Sequence, residues 1–528
     1  MMKKVIKKLL AALLAVAMVC AMAIPAFAEN SEGDVDSHHT YSAFQIFKGD
    51  VEGNNIKDFK ISNVDWGSNI INNSDDFLNK LREADPIGPL FTNAKSAQEV
   101  LAVISQWSNS DDNSIAFARV VCSYLYPNAD AKPEPVITDH TGGINIPKSG
   151  YYLIVDTTYF NPGDYYHAYN SFFLLNVPQV PYVVPINRKV VKPTVEKEVY
   201  DNQDGANEAG FGSSADHAIN EEFQFKLTAT LPANPDRAYD YYDEYMVTFC
   251  DTLSAGITFD RWDTVVINNG GADIPIPAEN YYSDASNQDL TLSIEDVKTC
   301  APGLNLNNGA TITVTYTAHL NENAAVNGSA DNKNKVQLQY SNNPRPDGEY
   351  WGYTPNYTPE SEVYVYTYQL NNTKLAENEH GAPLKDVGFR LYSDADYMNE
   401  VELYQDGEFY YPIKNATGKT AVEMKSAADG TFNVKGLDAG TYYLKETKTP
   451  ADYNPCDVPP VIIKANHKGN QVDLNGSTLS TTIINKKAGG ITLPSTGGIG
   501  TTLFYVVGGG LMVAAIVLLV TKKRMENK

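Results

Sequence analysis

The sequence predicts a mainly β protein in which an N-terminal α+β domain precedes two β-sandwich domains in tandem. From Val195 to Lys487, apolar and polar residues alternate with a period of two, and turns rich in Asn, Gly and Pro interrupt the alternation. Between the two apolar ends of the chain, helical spacing of apolar residues is found in three stretches before residue 127. The 528 residues are enough for about three domains.

Residues 1–28 are predicted to be a secretory signal peptide. Lysines between Lys3 and Lys8 precede an apolar segment from Leu9 to Ile24, and Ala26-Phe27-Ala28 has the small-x-small pattern of a signal-peptidase site. We therefore expect a secreted chain that begins near Glu29.

Residues 29–187 are predicted to form the α+β domain. The first strand, His39–Phe47, should place four side chains on one side of a sheet, namely Tyr41, Ala43, Gln45 and Phe47. The remaining elements are three helical stretches and two further strands: Asp75–Glu83, Ala97–Trp107, Ser114–Tyr126, Gly150–Val155 and Ser171–Val177. This order predicts helices inserted into a sheet.

A proline-bounded connector, Val184–Lys197, follows the first domain and marks a domain boundary. Two sandwiches are expected after it, at residues 188–366 and 367–488. Their clearest strands are Glu222–Pro232, Met246–Asp251, Ala310–His319, Lys335–Tyr340, Val387–Tyr392 and Thr481–Asn485.

The first sandwich carries three polar residues on strands that are otherwise apolar on one face. Lys197 lies in the opening strand, Asp251 shares a face with Phe249, and Asn334 opens what we expect to be the last strand. A polar side chain on an apolar face needs a partner. Asn332 lies one period before Asn334 on the same face, so the choice between these two asparagines stays open.

Residues 489–528 combine a short motif with an apolar run and a basic end. The pentapeptide Leu493-Pro494-Ser495-Thr496-Gly497 precedes the run Leu503–Thr521, and Lys522-Lys523-Arg524 follows it. At ~1.5 Å per helical residue, the run is long enough to cross a bilayer. Because basic residues stay on the cytoplasmic side, the preceding chain should lie outside the cell.

This order of parts resembles the cell-wall sorting signal of Gram-positive LPXTG surface proteins. The resemblance implies that a sortase cleaves after Thr496 and passes the acyl group to an amine. The connector is similar to the pilin motif of sortase-assembled pilus subunits, which implies Lys189 as that amine. Lys192 is the competing acceptor, since Asn187-Arg188 stands where many pilins have proline.

The two sandwiches resemble the Ig-like CnaA-type and CnaB-type domains of pilins. In the first, the resemblance implies an intramolecular isopeptide bond between Lys197 and Asn334 that Asp251 promotes. In the second, Lys374 follows Leu370-Asn371-Asn372-Thr373, and the segment Tyr442–Thr447 looks like the E-box of pilins. This implies that Lys374 and Asn485 are bond partners and that Glu446 is the acid.

The chemistry of such a bond explains these residue types. Burial lowers the pKa of a lysine and raises that of a carboxylic acid, so both groups can be neutral together. The neutral amine is a nucleophile. The protonated acid can polarise the asparagine carbonyl and shuttle protons as ammonia leaves.

Composition and motifs exclude several other classes of function. The net charge of −23 argues against a nucleic-acid partner. Four cysteines remain after processing, too few for a disulfide scaffold, and whether Cys250 and Cys300 pair stays open. Asp201, Asp204 and Gly205 miss the EF-hand spacing, so we expect a solvated turn and no metal. Without any familiar catalytic motif, we expect neither a cofactor nor an enzyme.

Together the resemblances imply a major (backbone) pilin on the cell surface, polymerised head to tail from Thr496 to Lys189 and anchored to the wall. The implied partners are a pilus-class sortase, a housekeeping sortase, identical subunits, minor pilins and peptidoglycan. The alternative is a monomeric wall-anchored adhesin that binds a host or matrix ligand. A cross-link of the N-terminal domain through Lys48 stays open.

Overall fold

The computed structural model describes residues 40–54, 59–107, 111–127, 131, 133–139, 143–157, 172–178, 182–185, 192–202, 207, 209–234, 237–286, 288–344 and 356–489. The signal peptide, Lys189, the sorting pentapeptide and the expected membrane span lie outside these residues. No helix within them is both long enough and apolar enough to cross a bilayer.

The N-terminal part is a sheet with three helices. Its strands are β1 (Tyr41–Glu52), β2 (Lys60–Trp66), β3 (Ile137–Asp139), β4 (Gly143–Ile146), β5 (Gly150–Asp156), β6 (Phe172–Val177) and β7 (Tyr182–Pro185). The helices are α1 (Ser74–Glu83), α2 (Ala97–Ile104) and α3 (Asp112–Leu125). The main sheet has the order β2-β1-β5-β6 with β3 against β1, and β4 pairs with β7.

Strand β1 is buried on both faces, and the expectation that Phe47 shares a side with Tyr41 and Ala43 is wrong. Tyr41 and Ala43 join the core that contains Ile144 of β4, whereas Phe44 and Phe47 join the core under the helices. Phe47 changes side because the register between β1 and β5 shifts between Gln45 and Phe47. Alternation in the sequence cannot show such a shift.

The second part is a sandwich of two sheets. Its strands are β8 (Thr194–Asp201), β9 (Gly210–Gly212), β10 (Ser214–Asp216), β11 (Glu222–Leu231), β12 (Val247–Leu253), β13 (Ile257–Asn268), β14 (Ile274–Pro275), β15 (Tyr282–Ser286), β16 (Asp289–Ile294), β17 (Ala310–Leu320), β18 (Lys333–Tyr340), β19 (Asn356–Tyr357) and β20 (Ser361–Tyr366). One sheet has the order β14-β13-β17-β11-β8-β9. The other has the order β10-β20-β18-β12-β16-β15, with β19 paired to β18.

Alternating burial explains why these segments form a sandwich. In β11 and β17 every second side chain is buried, and these strands pair antiparallel along their whole length. The expectation that Asn334 lies in the last strand is wrong, because β20 follows it and pairs with β18. An apolar run continues across Tyr366, so the sequence does not show where one sheet ends.

The third part is a second β-sandwich. Its strands are β21 (Tyr368–Ala376), β22 (Gly388–Tyr392), β23 (Leu403–Asp406), β24 (Phe409–Pro412), β25 (Met424–Lys425), β26 (Asn433–Leu437), β27 (Gly440–Lys448), β28 (Val461–Ile463), β29 (Asn466–Lys468), β30 (Gln471–Asp473) and β31 (Ser480–Asn485). The sheets have the orders β23-β24-β26-β21-β31 and β25-β22-β27-β28, and β29-β30 is a separate hairpin. The first and last strands, β21 and β31, run parallel.

The two sandwiches meet closely. Thr367 is the residue between β20 and β21, and it is fully buried. Tyr404 and Tyr411 of the third part belong to the core of the second. The predicted fold class, an α+β domain followed by two tandem sandwiches, is confirmed.

Candidate cross-link sites

The first candidate site lies between the two sheets of the second part. Lys197 extends from β8 in one sheet, while Asp251 and Asn334 extend from β12 and β18 in the other. Asp251 and Asn334 are diagonal neighbours, because Asp251 pairs with Val336 and Leu253 pairs with Asn334. All three side chains are buried, with Asn334 at 0 % exposure.

A tyrosine links the three residues. The Lys197 ammonium contacts Asp251 Oδ2 directly and donates to the Tyr316 hydroxyl at 3.0 Å. That hydroxyl donates to Asp251 Oδ2 at 3.1 Å and accepts a hydrogen bond from Asn334 Nδ2. Sequence reasoning missed Tyr316. Its place between Val314 and Ala318 on the buried face of β17 was the available signal, because a buried hydroxyl needs a partner.

The environment favours neutral forms of the lysine and the acid. Burial lowers the pKa of Lys197 to about 8, although Asp251 partly offsets this effect. Burial raises the pKa of Asp251, and Lys197 opposes that shift. The rings of Phe225 and Tyr316 lie 4.9 and 5.2 Å from Lys197 Nζ. Since the two pKa values move towards each other, proton transfer to give a neutral amine and a neutral acid becomes accessible.

Two buried oxygens at this site lack a donor. Asp251 Oδ1 and Asn334 Oδ1 have no hydrogen-bond partner among the described residues. An unsatisfied buried acceptor costs about 1–3 kcal/mol. A protonated Asp251 carries the proton that an amide carbonyl requires when an amine attacks it.

The geometry favours Asn334 over Asn332. The Asn332 side chain accepts from Ala325 N at 2.7 Å and donates to Ala325 O at 2.7 Å and to Val365 O at 3.1 Å. The Asn332 side chain is thus bonded to the backbone of Ala325 and Val365 and not to Lys197 in these contacts.

The second candidate site lies in the third part, where Lys374 and Asn485 are both 0 % exposed. Lys374 on β21 donates to Ile483 O on β31 at 3.1 Å. Asn485 Nδ2 donates to Glu446 Oε1 at 2.9 Å and to Asn454 O at 2.7 Å. Burial lowers the pKa of Lys374. The predicted acid therefore holds the predicted asparagine, and the lysine lies on the neighbouring strand.

Cys456 belongs to this second site, although no sequence motif marked it. Its thiol donates to Glu446 Oε2 at 3.0 Å and lies 3.5 Å from Asn485 Oδ1. Burial raises the pKa of this thiol to about 12. The thiol therefore stays protonated and keeps its role as a donor to the glutamate.

The remaining candidates fall outside these two sites. Lys48 is about half exposed and lies 3.6 Å from Asp65, so it lacks the burial that Lys197 and Lys374 share. Cys122, Cys250, Cys300 and Cys456 are all thiols, so Cys250 and Cys300 do not pair. The expected solvated turn is wrong at Asp201, which is only 4 % exposed at the end of β8. Asp204 and Gly205 lie outside the described residues.

Two protein families match segments in the C-terminal third of the chain. Residues 369–478 match the SpaA family, described as a prealbumin-like fold domain. Residues 485–527 match the family described as the LPXTG cell wall anchor motif. No curated protein matches the chain in sequence.

The solved structures that match the chain include three streptococcal and corynebacterial pilins. The major pilin GBS80 of Streptococcus agalactiae, as a C-terminal fragment, is 22 % identical over 56 % of this chain and 100 % of its own, with a TM-score of 0.40. The T6 backbone pilin of Streptococcus pyogenes is 14 % identical over 87 % of this chain and 100 % of its own, with a TM-score of 0.48. The major pilin SpaD of Corynebacterium diphtheriae is 20 % identical over 69 % of this chain and 88 % of its own, with a TM-score of 0.42.

At such identities and TM-scores, no residue of this chain is placed in correspondence with theirs. The match of the LPXTG cell wall anchor motif confirms the predicted wall-sorting signal at residues 493–497 and its cell-surface address. Together the two family matches confirm, in these two segments, the resemblance to LPXTG-anchored pilins, because a prealbumin-like SpaA domain directly precedes a cell wall anchor.

Proposed function

We propose that this protein is the shaft subunit of a pilus whose subunits a sortase joins head to tail. The observation that carries the proposal is the LPXTG cell wall anchor at residues 485–527, directly after a prealbumin-like domain with a buried lysine and asparagine. A pilus-class sortase cleaves after Thr496, and Lys189 of the next subunit accepts the acyl group. A housekeeping sortase attaches the last subunit to peptidoglycan, and minor pilins complete the fibre.

Each sandwich closes its own internal amide once. Lys197 Nζ attacks Asn334 Cγ, the Cγ–Nδ2 bond breaks, and ammonia leaves. Asp251 gives a proton to the carbonyl oxygen, passes one from the attacking amine to the departing nitrogen, and takes the first proton back as the carbonyl re-forms. Lys374, Asn485 and Glu446 carry out the same reaction in the other sandwich. The protein is thus a sortase substrate that modifies itself rather than an enzyme with turnover.

The domain boundaries that belong to this proposal are 29–187, 188–366, 367–488 and 489–528. The change of sheet at Thr367 supports the limit between residues 366 and 367. The prealbumin-like match begins at residue 369, two residues later.

Polymerisation is tested on denaturing gels of wall extracts from cells that express the protein with its sortase. We expect a high-molecular-weight ladder from the wild type and only monomer from Lys189→Ala. Lys192→Ala is the matched control and should keep the ladder. A ladder that survives Lys189→Ala but not Lys192→Ala would show that Lys192 is the acceptor.

A wild-type protein that reaches the wall and never forms a ladder contradicts the shaft proposal. That result favours the alternative, a monomeric wall-anchored adhesin that binds a host or matrix ligand. Thr496→Ala tests the acyl donor that polymerisation and wall attachment share, because it should abolish both the ladder and wall attachment.

The internal bonds are tested by intact mass and peptide mapping. We expect the mature chain to be lighter by two ammonia molecules, with cross-linked peptides that join Lys197 to Asn334 and Lys374 to Asn485. An unmodified mass removes both internal bonds from the proposal but leaves polymerisation standing.

A further inference from the structure

The junction between the two sandwiches contains a buried cluster of two carboxylates and one imidazole. Asp201 ends β8, Asp216 ends β10, and His467 lies on β29 of the other sandwich. Their side chains are 6 %, 2 % and 1 % exposed. One nitrogen or oxygen atom from each of the three lies within 4.8 Å of the others.

The spacing of these atoms suits a metal ion better than a hydrogen bond. His467 Nε2 lies 3.5 Å from Asp201 Oδ2 and 3.5 Å from Asp216 Oδ1. A hydrogen bond between nitrogen and oxygen is usually about 2.7–3.2 Å long. Two ligands on a tetrahedral Zn²⁺ with bonds of 2.0–2.2 Å are ~3.4 Å apart. The distance from His467 Nε2 to each carboxylate oxygen is therefore close to that between two ligands of one zinc ion.

Each of the three groups has its other polar atom fixed by a neighbour. Asp201 Oδ1 accepts from the Asp216 backbone N–H at 3.2 Å, and Asp216 Oδ2 accepts from the Tyr368 hydroxyl at 2.7 Å. His467 Nδ1 lies 3.0 Å from the Ser214 hydroxyl, to which it can donate, and Asn207 Nδ2, 3.3 Å from the same atom, donates to the His467 backbone O at 2.8 Å. Such outer contacts orient metal ligands and select the tautomer of a ligating histidine.

The charge of the cluster also favours a divalent cation. A buried carboxylate is costly unless it is paired or bound to a metal, and this cluster places two of them beside one imidazole. Two carboxylates, a neutral imidazole and a divalent cation sum to zero. An imidazole ligand disfavours Ca²⁺ and Mg²⁺, which prefer oxygen, and suits zinc and related metals.

We propose that Asp201, Asp216 and His467 bind one divalent ion of the zinc class, with water as the fourth ligand. Because the ligands come from both sandwiches, the ion fastens one sandwich to the other. This site does not depend on the internal amides or on polymerisation.

The test uses the full-length protein after removal of metals with a chelator. Zn²⁺ is titrated in competition with a chromophoric chelator, and Co²⁺ is added separately to record its visible absorption. We expect one equivalent of Zn²⁺ per chain and a tetrahedral Co²⁺ spectrum. His467→Gln should abolish both signals, and Tyr368→Phe should weaken binding by about 10–100-fold.

His319→Gln is the matched control. His319 also pairs with a carboxylate, that of Asp260 at 2.8 Å, but it is partly exposed. This variant should bind Zn²⁺ as the wild type does. Circular dichroism checks that each variant is folded, and Asp201→Asn replaces His467→Gln if the latter does not fold.

A folded wild-type chain that binds neither Zn²⁺ nor Co²⁺ stoichiometrically overturns the proposal and leaves a buried ion pair. Equal binding by His467→Gln and the wild type also overturns it, since the metal then binds elsewhere.

Discussion

The buried Lys197 is the residue that sets the chemistry of the first sandwich. Its amine meets an acid, a tyrosine and two aromatic rings, and water has no access to it. An uncompensated charge there would be costly. Conversion of the amine to an amide removes the charge altogether, so the product is better suited to this core than the reactants.

This view predicts a pH dependence in Asn334→Ala, in which Lys197 stays an amine. The pKa of Lys197 is about 8 in the folded protein and 10.5 in the unfolded chain. Between these values the unfolded chain holds the additional proton, so stability rises with pH. We expect a gain of about 3 kcal/mol across this window, measured by urea unfolding relative to the cross-linked wild type. Equal slopes for the two proteins would contradict the prediction.

Cys456 gives a second prediction at this scale. Because its thiol pKa is about 12, only a trace of thiolate exists at neutral pH. We expect iodoacetamide to modify Cys456 very slowly in the folded protein and rapidly in urea, as followed by peptide mass spectrometry. Fast modification in the folded state would show that the thiol is not held as the structure places it.

Alternation predicted that Asp251 and Asn334 lie on the apolar faces of their strands, whereas the lysine, acid and asparagine sets of both sandwiches came from the resemblance to pilin domains. Neither predicted Tyr316 or Cys456. A tyrosine on a buried face is common, and Cys456 lies outside the strands in a segment without a period. Contacts of this kind depend on packing between strands that are distant in the sequence.

At the scale of elements, the two candidate bonds join strands in different ways. Lys197 and Asn334 lie on opposite sheets, so their bond would tie the layers of the sandwich together. Lys374 and Asn485 lie on β21 and β31, which are neighbours in one sheet. Because β20 follows Asn334, only the second bond would join the first and last strands of its sandwich.

Loss of either bond should lower stability by a similar amount. A covalent link across a loop of this length restricts the unfolded chain by about 5 kcal/mol in the chain-entropy description. We expect Asn334→Ala and Asn485→Ala to destabilise their sandwiches by at least this much at pH 7, measured by calorimetry, because each variant also leaves a buried lysine amine. The exposed residues Asn323 and Asn475 provide alanine controls that should change little. A loss no larger than that of the controls would mean that no bond forms.

Element types and most bounds followed from periodicity, since helices α1 to α3 and strands such as β11 and β17 lie where the pattern placed them. Two features could not be predicted. The shift in β1 is a local change of register, and the addition of β20 to the second part depends on pairing with β18. The pairing partner of a strand is not encoded in its own alternation.

On the scale of the whole molecule, the two sandwiches form a close junction. Ile219 of the second part donates its backbone N–H to Gly436 O of the third at 2.9 Å. Gly436 has a φ of +88°, and a Cβ there would overlap the Ile219 side chain. A glycine is therefore required for both its backbone angle and its contact.

Gly436→Ala should loosen this junction. Gly476→Ala is a close control, because Gly476 has a φ of +87° but open space around its Cα. Both changes strain the backbone. Gly436→Ala alone also creates a steric overlap, which costs about 1–3 kcal/mol of stability. We expect faster hydrogen exchange at the Ile219 amide in Gly436→Ala alone. Equal exchange in both variants would show that the contact does not hold the junction.

The parallel arrangement of β21 and β31 has a consequence for the shape of any fibre. When the first and last strands of a domain point the same way, the chain enters at one pole and leaves at the opposite pole. The nine residues of β21 alone span ~30 Å at ~3.3 Å per residue. Copies joined end to end therefore add their lengths along one direction, and the filament acquires a polarity that is already present in a single domain.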